Sequence, residues 1–135
     1  MKTIKEILEK LKLDLETDIP DILYSNDLDN FSVYHIGGSK NPKELGLFIY
    51  QDRTTLDAVN NTLSLIIQLQ LYQKTEIESA EYQDILTGYM RDYDPDNLGM
   101  TMLNSIETDC WPIEQTGTTF IYLILNYIEN LDSCD

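Results

Sequence analysis

The segment LSLIIQLQLYQ, at residues 63–73, constrains the fold more than any other part of the chain. On a helix its apolar side chains would scatter around the whole circumference, whereas on a strand every second residue lies on the same face. The strand arrangement brings together Leu63, Leu65, Ile67, Leu69 and Leu71. We therefore predict a β-strand with one apolar face directed at a core.

The opposite face of this strand is uncharged and of intermediate polarity. Such a face suits a surface that a helix, a partner subunit or solvent covers, so it is a candidate contact surface, with simple half-burial as the alternative. Ser64 belongs to this face, and the candidate contact residues on it are Ile66, Gln68, Gln70 and Tyr72.

The first amphipathic helix is predicted at residues 3–15, where apolar residues follow the helical spacing. Thr3 and Glu6 fit a capping box at its beginning. Proline disfavours the helical conformation in the residue before it, so Ile19-Pro20 is expected to end any continuation. A short extended piece, DILYS, is expected to follow at 21–25. The apolar stripe consists of Ile4, Ile7, Leu8, Leu11 and Leu15.

A second helix is predicted at about 76–92. Acidic residues occupy its first turns and Arg91 its last turn, as the helix dipole favours. The sequence DPDN after it is expected to end the helix. Its apolar stripe consists of Tyr82, Ile85, Leu86, Tyr89 and Tyr93.

Four further strands complete the pattern. Residues 31–36 and 45–50 are predicted to form a hairpin across a long turn-rich loop. Residues 100–108 and 118–129 are predicted strands joined through DCWPIEQTG, and the last one is apolar on both faces, as an interior strand requires. Trp111 lies in the connection, where a plug in the core is favoured over an exposed anchor for a partner.

The predicted order is α-β-β-β-α-β-β in a single domain, 1–135. A mainly antiparallel sheet with an N-terminal helix and a second helix on one face would bury every apolar stripe. The expected fold class is therefore α+β.

Charge is the strongest compositional signal. The formal net charge is -15, and residues 54–135 hold 14 acidic residues against only Lys74 and Arg91. Such a surface repels phosphate backbones, so direct nucleic-acid binding is not expected; plain solubility is the simplest use of the acidity. No apolar run reaches about 18 residues, and the first twenty residues are interrupted by charges, which indicates a cytoplasmic protein without membrane contact.

No motif for catalysis, a cofactor or a metal is present, so we expect a protein that is not an enzyme. His35 has no partner at a recognisable spacing, and Cys110 and Cys134 are expected to be free thiols. Asp92, Asp94 and Asp96 alternate like the first ligands of an EF-hand loop. However, Asn97 and Leu103 replace its glycine and its bidentate glutamate, so an acidic solvated loop is favoured over a calcium site.

In length, acidity and element order the chain resembles the small tail-terminator and tail-completion proteins of long-tailed bacteriophages. The resemblance implies a cytoplasmic structural subunit of the host cell and virion that forms a ring at the tail end or the head-tail junction. Its expected partners are further copies and other tail proteins. An acidic lumen would keep DNA from sticking as it passes, and ring contacts would give the uncharged strand a purpose.

The alternative is an acidic inhibitor, such as an anti-restriction or anti-CRISPR DNA mimic or an immunity protein for a basic nuclease. Carboxylates would then take the place of phosphates and give fast, salt-sensitive association with the basic partner. The candidate contact residues for this role are Glu76, Glu78, Glu81, Asp84, Asp92, Asp94 and Asp96.

Overall fold

The computed structural model describes the backbone at residues 2–37, 45–73, 76–113 and 118–131. It describes side chains in the same ranges except at 72–73, 76–79, 110–113 and 118–120. In chain order the elements are α1 (Ile4–Ser25), β1 (Val33–Ile36), β2 (Gly46–Asp57), β3 (Thr62–Gln73), α2 (Glu76–Asp92), a short 3₁₀ helix (Pro95–Leu98), β4 (Met102–Ile113) and β5 (Thr118–Asn130). The predicted α+β class and the order α-β-β-β-α-β-β are confirmed.

The five strands form one sheet in the order β1-β2-β3-β5-β4. β1 and β2 are parallel, and every other neighbouring pair is antiparallel. β3 lies at the centre, and its pairing with β5 runs from Thr62 opposite Asn130 to Gln73 opposite Thr119. The strand prediction for 63–73 is confirmed, and β5 is an interior strand as its apolar faces predicted.

Both helices cover the same face of the sheet. α1 packs on β1 and β2, while α2 packs on β3, β4 and β5. The predicted apolar face of β3 points into this layer, since Leu65, Ile67, Leu69 and Leu71 are fully buried. Each such side chain contributes about 1.5–3 kcal/mol by leaving water, so this row is a major source of the stability of the domain.

The prediction that the first helix ends at Ile19-Pro20 was wrong, because α1 continues through Pro20 to Ser25 and includes the segment DILYS. Ile19 and Leu23 are buried in the core on either side of the proline. An interior proline costs a helix about 3 kcal/mol relative to alanine, and burial of these two side chains offsets a cost of that size. The capping box of Thr3 and Glu6 is confirmed.

We expect Pro20→Ala to raise the free energy of unfolding by about 1–3 kcal/mol, measured by urea denaturation. The alanine supplies a backbone N–H that can donate to the carbonyl of Glu16. Pro95→Ala is the matched control, because Pro95 lies in the first turn of the 3₁₀ helix, where a proline costs nothing. A Pro20→Ala variant that unfolds at a lower urea concentration would contradict the prediction.

The predicted hairpin of 31–36 and 45–50 was also wrong, because β1 runs parallel to β2, with Val33 opposite Gly46 and Ile36 opposite Ile49. Alternation of apolar residues identifies strands but not their direction. A strand of four residues spans only about 13 Å, so a short connection is long enough to return the chain. The turn-rich residues 38–44 lie outside the described residues.

β2 itself is longer than predicted and forms the true hairpin with β3. Its second half, QDRTTLD, has no apolar alternation, yet it pairs along β3 as far as Asp57 opposite Thr62. Backbone hydrogen bonds hold this half in place, and they are indifferent to the polarity of the side chains. A β-bulge between Gln51 and Arg53 separates the two halves.

β4 extends to Ile113, so Trp111 and Pro112 belong to a strand and the prediction of a connection there was wrong. β4 is an edge strand, where a proline that lacks an N–H is tolerated. The orientation of the Trp111 side chain and the states of Cys110 and Cys134 lie outside the described side chains.

Candidate partner-binding surfaces

The face of the sheet opposite the helices is the first candidate surface. Directly paired residues share a face, so the uncharged residues of β3 continue onto β2 and β5. We call this surface the open sheet face; its described central residues are Phe48, Tyr50, Ile66, Gln68, Gln70, Tyr122 and Ile124. No helix of the described residues packs on it.

Hydrogen bonds between neighbouring strands fix the polar groups of the open sheet face. The Tyr50 hydroxyl donates to the Gln68 side-chain carbonyl, and the Ser64 hydroxyl donates to Asn126 Oδ1 at 3.0 Å. Burial raises the pKa of Tyr50, and Gln70 is only 8% exposed. The large side chains therefore shield one another and leave an ordered surface of mixed polarity.

Charge on the open sheet face is confined to its flanks. Arg53 of β2 lies opposite Ile66, and on the edge strand β4 Glu107 and Asp109 lie opposite Ile124 and Tyr122. Asp52, at the β-bulge, is close enough to Tyr50 to contribute to its raised pKa. In a chain with a net charge of -15, the central residues of this face nevertheless carry no charge of their own.

The end of the β2–β3 hairpin is a second candidate surface, defined here as the hairpin tip, residues 56–61. Leu56 is 60% exposed and Val59 is 93% exposed. The Asp57 carboxylate accepts hydrogen bonds from the backbone N–H groups of Val59 and Asn60 and from the Asn60 amide. These bonds order the turn and lower the pKa of Asp57, with the Asn60 side-chain bond as the largest cause. The tip therefore presents two apolar side chains on an ordered turn.

The third surface is an open groove between α1 and α2, with a volume of about 650 Å³. We call it the interhelical groove. α1 contributes Lys10, Asp14 and Asp18, whereas α2 and the following turn contribute Asp84, Tyr89, Asp92, Tyr93 and Asp94. The lining thus holds five carboxylates and one lysine, and the groove has an excess of negative charge.

Tyr89 of α2 and Tyr93, which directly follows α2, connect the two sides of the groove through hydrogen bonds to α1. The Tyr89 hydroxyl donates to Asp18 Oδ2 at 2.6 Å, and the Tyr93 hydroxyl donates to Asp14 Oδ2. Lys10 Nζ lies 3.0 Å from Asp14 Oδ1. Asp14 is therefore held by two partners, whereas no hydrogen bond or ion pair engages the Asp84 carboxylate among the described residues.

Beneath these tyrosines lies Tyr127 of β5, whose side chain is fully buried. Its hydroxyl has no hydrogen-bond partner among the described residues. It is close enough to the hydroxyls of Tyr89 and Tyr93 to contribute to the raised pKa of both. A buried hydroxyl without a partner costs about 1–3 kcal/mol.

Some of the acidic residues that the sequence predicted as partner contacts line the interhelical groove, and others do not. Asp84, Asp92 and Asp94 line it, whereas Glu81 lies on an exposed part of α2 and Asp96 on the 3₁₀ helix. The side chains of Glu76, Glu78 and Tyr72 lie outside the described ones. Sequence reasoning missed Asp14 and Asp18; their spacing of four places them on one helix face, but nothing in the sequence paired that face with α2.

The acidic loop at the end of α2 does not fold like a calcium loop. Asp94 caps the 3₁₀ helix by accepting from the Asp96 N–H at 2.9 Å, and Asp92 lies 3.3 Å from Arg91 Nε. Over the ranges that the structure describes, no group of three or more histidine, cysteine, aspartate and glutamate side chains is arranged to hold a metal ion.

No protein-family model matches this chain, and no curated protein sequence matches it. Within the described part of the chain, neither helix is long and apolar enough to cross a membrane. The three surfaces therefore carry the functional interpretation.

We expect Tyr127→Phe to leave the free energy of unfolding unchanged or to raise it by about 1 kcal/mol, because the variant removes a buried hydroxyl without a partner. Tyr82→Phe is the matched control, since the Tyr82 hydroxyl donates to the Asp29 carbonyl and its loss is expected to cost about 1 kcal/mol. Urea denaturation measures both. A larger loss for Tyr127→Phe than for Tyr82→Phe would contradict this assignment.

The tyrosines of the groove should make the free energy of unfolding depend on pH in the alkaline range. Burial, followed by the hydrogen bonds to Asp18 and Asp14, raises the pKa of Tyr89 and Tyr93, so the folded state keeps protons that the unfolded chain releases above about pH 10. The stability that they contribute is fully present below that pH and is lost as the pH rises towards the folded-state pKa values.

We therefore expect the stability of the wild type to fall more steeply above about pH 10 than that of Tyr89→Phe/Tyr93→Phe. Urea denaturation at a series of pH values measures the two slopes. Equal slopes would show that these two hydroxyls do not contribute to the pH dependence of the free energy of unfolding.

Proposed function

We propose that this protein is a non-enzymatic structural subunit of a phage or prophage tail. In this proposal, copies made in the host cytoplasm assemble into a ring at the tail end or the head-tail junction, together with other tail proteins. The α+β fold and its element order support the proposal, because they are the features in which the sequence resembles tail-terminator and tail-completion proteins.

The observation that carries the proposal is the presence of two different low-charge surfaces on one domain. The hairpin tip exposes Leu56 and Val59, and the open sheet face has an uncharged centre. When one surface contacts the other on the next copy, the contact is heterologous, and heterologous contacts close into rings when the rotation between copies permits it.

The charge distribution supports the same arrangement. A net charge of -15 makes copies repel one another over most of their surface, so contacts are favoured where carboxylates are few, as at the hairpin tip, where Asp57 is the single acidic residue. The remaining acidic surface would then face solvent or the lumen. An acidic lumen would repel the phosphates of DNA that passes through the ring.

An acidic inhibitor of a basic protein remains the second candidate, and the interhelical groove supports it. Asp84, Asp92 and Asp94 share that groove with Asp14 and Asp18. Glu81 and Asp96, two other acidic residues predicted as contacts, lie outside its lining, so the predicted carboxylates do not all share this groove. This favours the structural role.

Native mass spectrometry over a wide concentration range tests the proposal. We expect the wild type to form a closed ring of defined copy number. A tip variant, Leu56→Ser/Val59→Ser, and a face variant, Ile66→Ser/Ile124→Ser, should each stay monomeric, because each lacks one half of the contact. Mixed together, the two variants retain one intact contact per pair and should give heterodimers only.

Leu13→Ser/Tyr24→Ser is the matched control, since Leu13 is 59% exposed and Tyr24 is 84% exposed but neither belongs to the tip or the open sheet face. It should assemble like the wild type. Circular dichroism confirms that each variant is folded. A wild type that stays monomeric at all concentrations, or a mixture of variants that forms complete rings, would overturn the proposed contact.

A further inference from the structure

The hairpin tip carries a carboxylate beside its most exposed apolar residue. Val59 is 93% exposed, and its backbone N–H donates to Asp57 Oδ1 at 3.0 Å. Oδ1 also accepts from the backbone N–H of Asn60, and Oδ2 accepts from the Asn60 amide. A carboxylate offers about four lone-pair sites, so Oδ2 keeps the capacity to accept one further hydrogen bond. Any surface that covers Val59 therefore also meets the Asp57 carboxylate.

This carboxylate restricts where the tip can bind. Its hydrogen bonds, with that of the Asn60 amide as the largest cause, lower the pKa of Asp57, so the group is charged at neutral pH. A charge that leaves water without a partner destabilises a contact, and a like charge beside it adds repulsion. Contact between the tip and a second copy is therefore favoured where that copy supplies a cation.

The β2 flank of the open sheet face supplies such a cation. Arg53 lies directly opposite Ile66 in the strand register, and residues paired in this way have Cβ atoms about 4.5–5.5 Å apart. The Arg53 side chain is exposed. Among the described residues, no hydrogen bond or ion pair engages its guanidinium group. Arg53 can therefore pair with a carboxylate of a second copy.

The β4 flank of the same face has the opposite character. Glu107 lies opposite Ile124, and Asp109 lies opposite Tyr122. Both charged residues are acidic, so a tip placed over Ile124 would bring a third carboxylate towards them. The two halves of the open sheet face are thus similar in apolar character but differ in charge.

We propose that the hairpin tip of one copy docks over Ile66 on the open sheet face of the next copy, with its Asp57 carboxylate paired with Arg53. The docking position rests on the proposed tip-to-face contact and adds its place and orientation. The ion pair keeps the tip away from Glu107 and Asp109. Each copy then meets the next in the same way, as closure of a ring requires.

The heterodimer of the two assembly variants isolates this contact for measurement. In the mixture, Leu56→Ser/Val59→Ser supplies the open sheet face and Ile66→Ser/Ile124→Ser supplies the tip. Titration calorimetry at about 0.15 M salt, where distant charges are largely screened, measures its dissociation constant. Arg53→Glu added to the copy that supplies the face should weaken the heterodimer by at least about tenfold, because it replaces an attraction with a repulsion.

Arg91→Glu in the same copy is the matched control. It makes the same change of charge at an exposed position on the helical side of the domain, and it should leave the dissociation constant within about twofold. Arg53→Glu moved to the copy that supplies the tip should also have an effect below about twofold, since the open sheet face of that copy takes no part in the heterodimer.

Asp57→Asn tests whether the two side chains meet. The asparagine keeps an oxygen that can accept the backbone N–H groups of Val59 and Asn60 but has no charge. Placed in the copy that supplies the tip, it should reduce the effect of Arg53→Glu to below about threefold, because the effects of paired residues are not additive.

Two single substitutions test the docking position without a change of charge. In the copy that supplies the face, Ile66→Ser should weaken the heterodimer by at least about tenfold, and Ile124→Ser by less than about threefold. The reverse order would place the tip on the β4 side and overturn the proposal.

The outcomes separate the docking position from the ring itself. Equal weakening by Arg53→Glu and Arg91→Glu, or a loss that persists with Asp57→Asn, would overturn the ion pair and leave the tip-to-face contact standing. A mixture of the two assembly variants that forms no heterodimer would instead contradict the contact, and with it the proposed ring.

Discussion

Burial of one row of aliphatic side chains on β3 is the interaction on which the rest of this structure depends. Leu65, Ile67, Leu69 and Leu71 lie at the centre of the sheet and are fully buried, with β2 on one side, β5 on the other and the helices above. Because this burial takes place on one face only, both helices are drawn to that face. The opposite face remains without a covering layer in the described structure, and this asymmetry produces the open sheet face.

The same asymmetry places the candidate surfaces on different sides of the sheet. The open sheet face and the hairpin tip offer low-charge contacts suited to other copies of a strongly acidic chain, while the interhelical groove offers carboxylates and tyrosines suited to a cation. Since the groove lies on the helical side of the sheet and the open sheet face on the other, occupation of one surface does not exclude occupation of the other.

The helix α1 shows how tertiary burial overrides a local signal. Pro20 disfavours the helical conformation in the residue before it, so the sequence alone predicts that the helix ends there. The apolar stripe nevertheless resumes at Ile19 and Leu23, and the core supplies the free energy that the interior proline costs. The direction of β1 is a comparable case. The strand with which β1 pairs and the length of the connection between them decide whether the pair is parallel. The alternation of apolar residues in β1 contains neither piece of information.

The sequence alone determined the α+β class, the element order, the strand character of 63–73 with its two faces, and the extent of α2 at 76–92. These features follow from periodicities within short segments, which the backbone geometry of helices and strands converts directly into faces. Only the tertiary structure decided that β1 is parallel to β2, that β2 continues to Asp57, and that Asp14 and Asp18 join Asp84 in one groove. Those features depend on how segments that are distant in the sequence pack against each other. The free energy of such packing belongs to both segments together, so the pattern of either segment alone does not predict it.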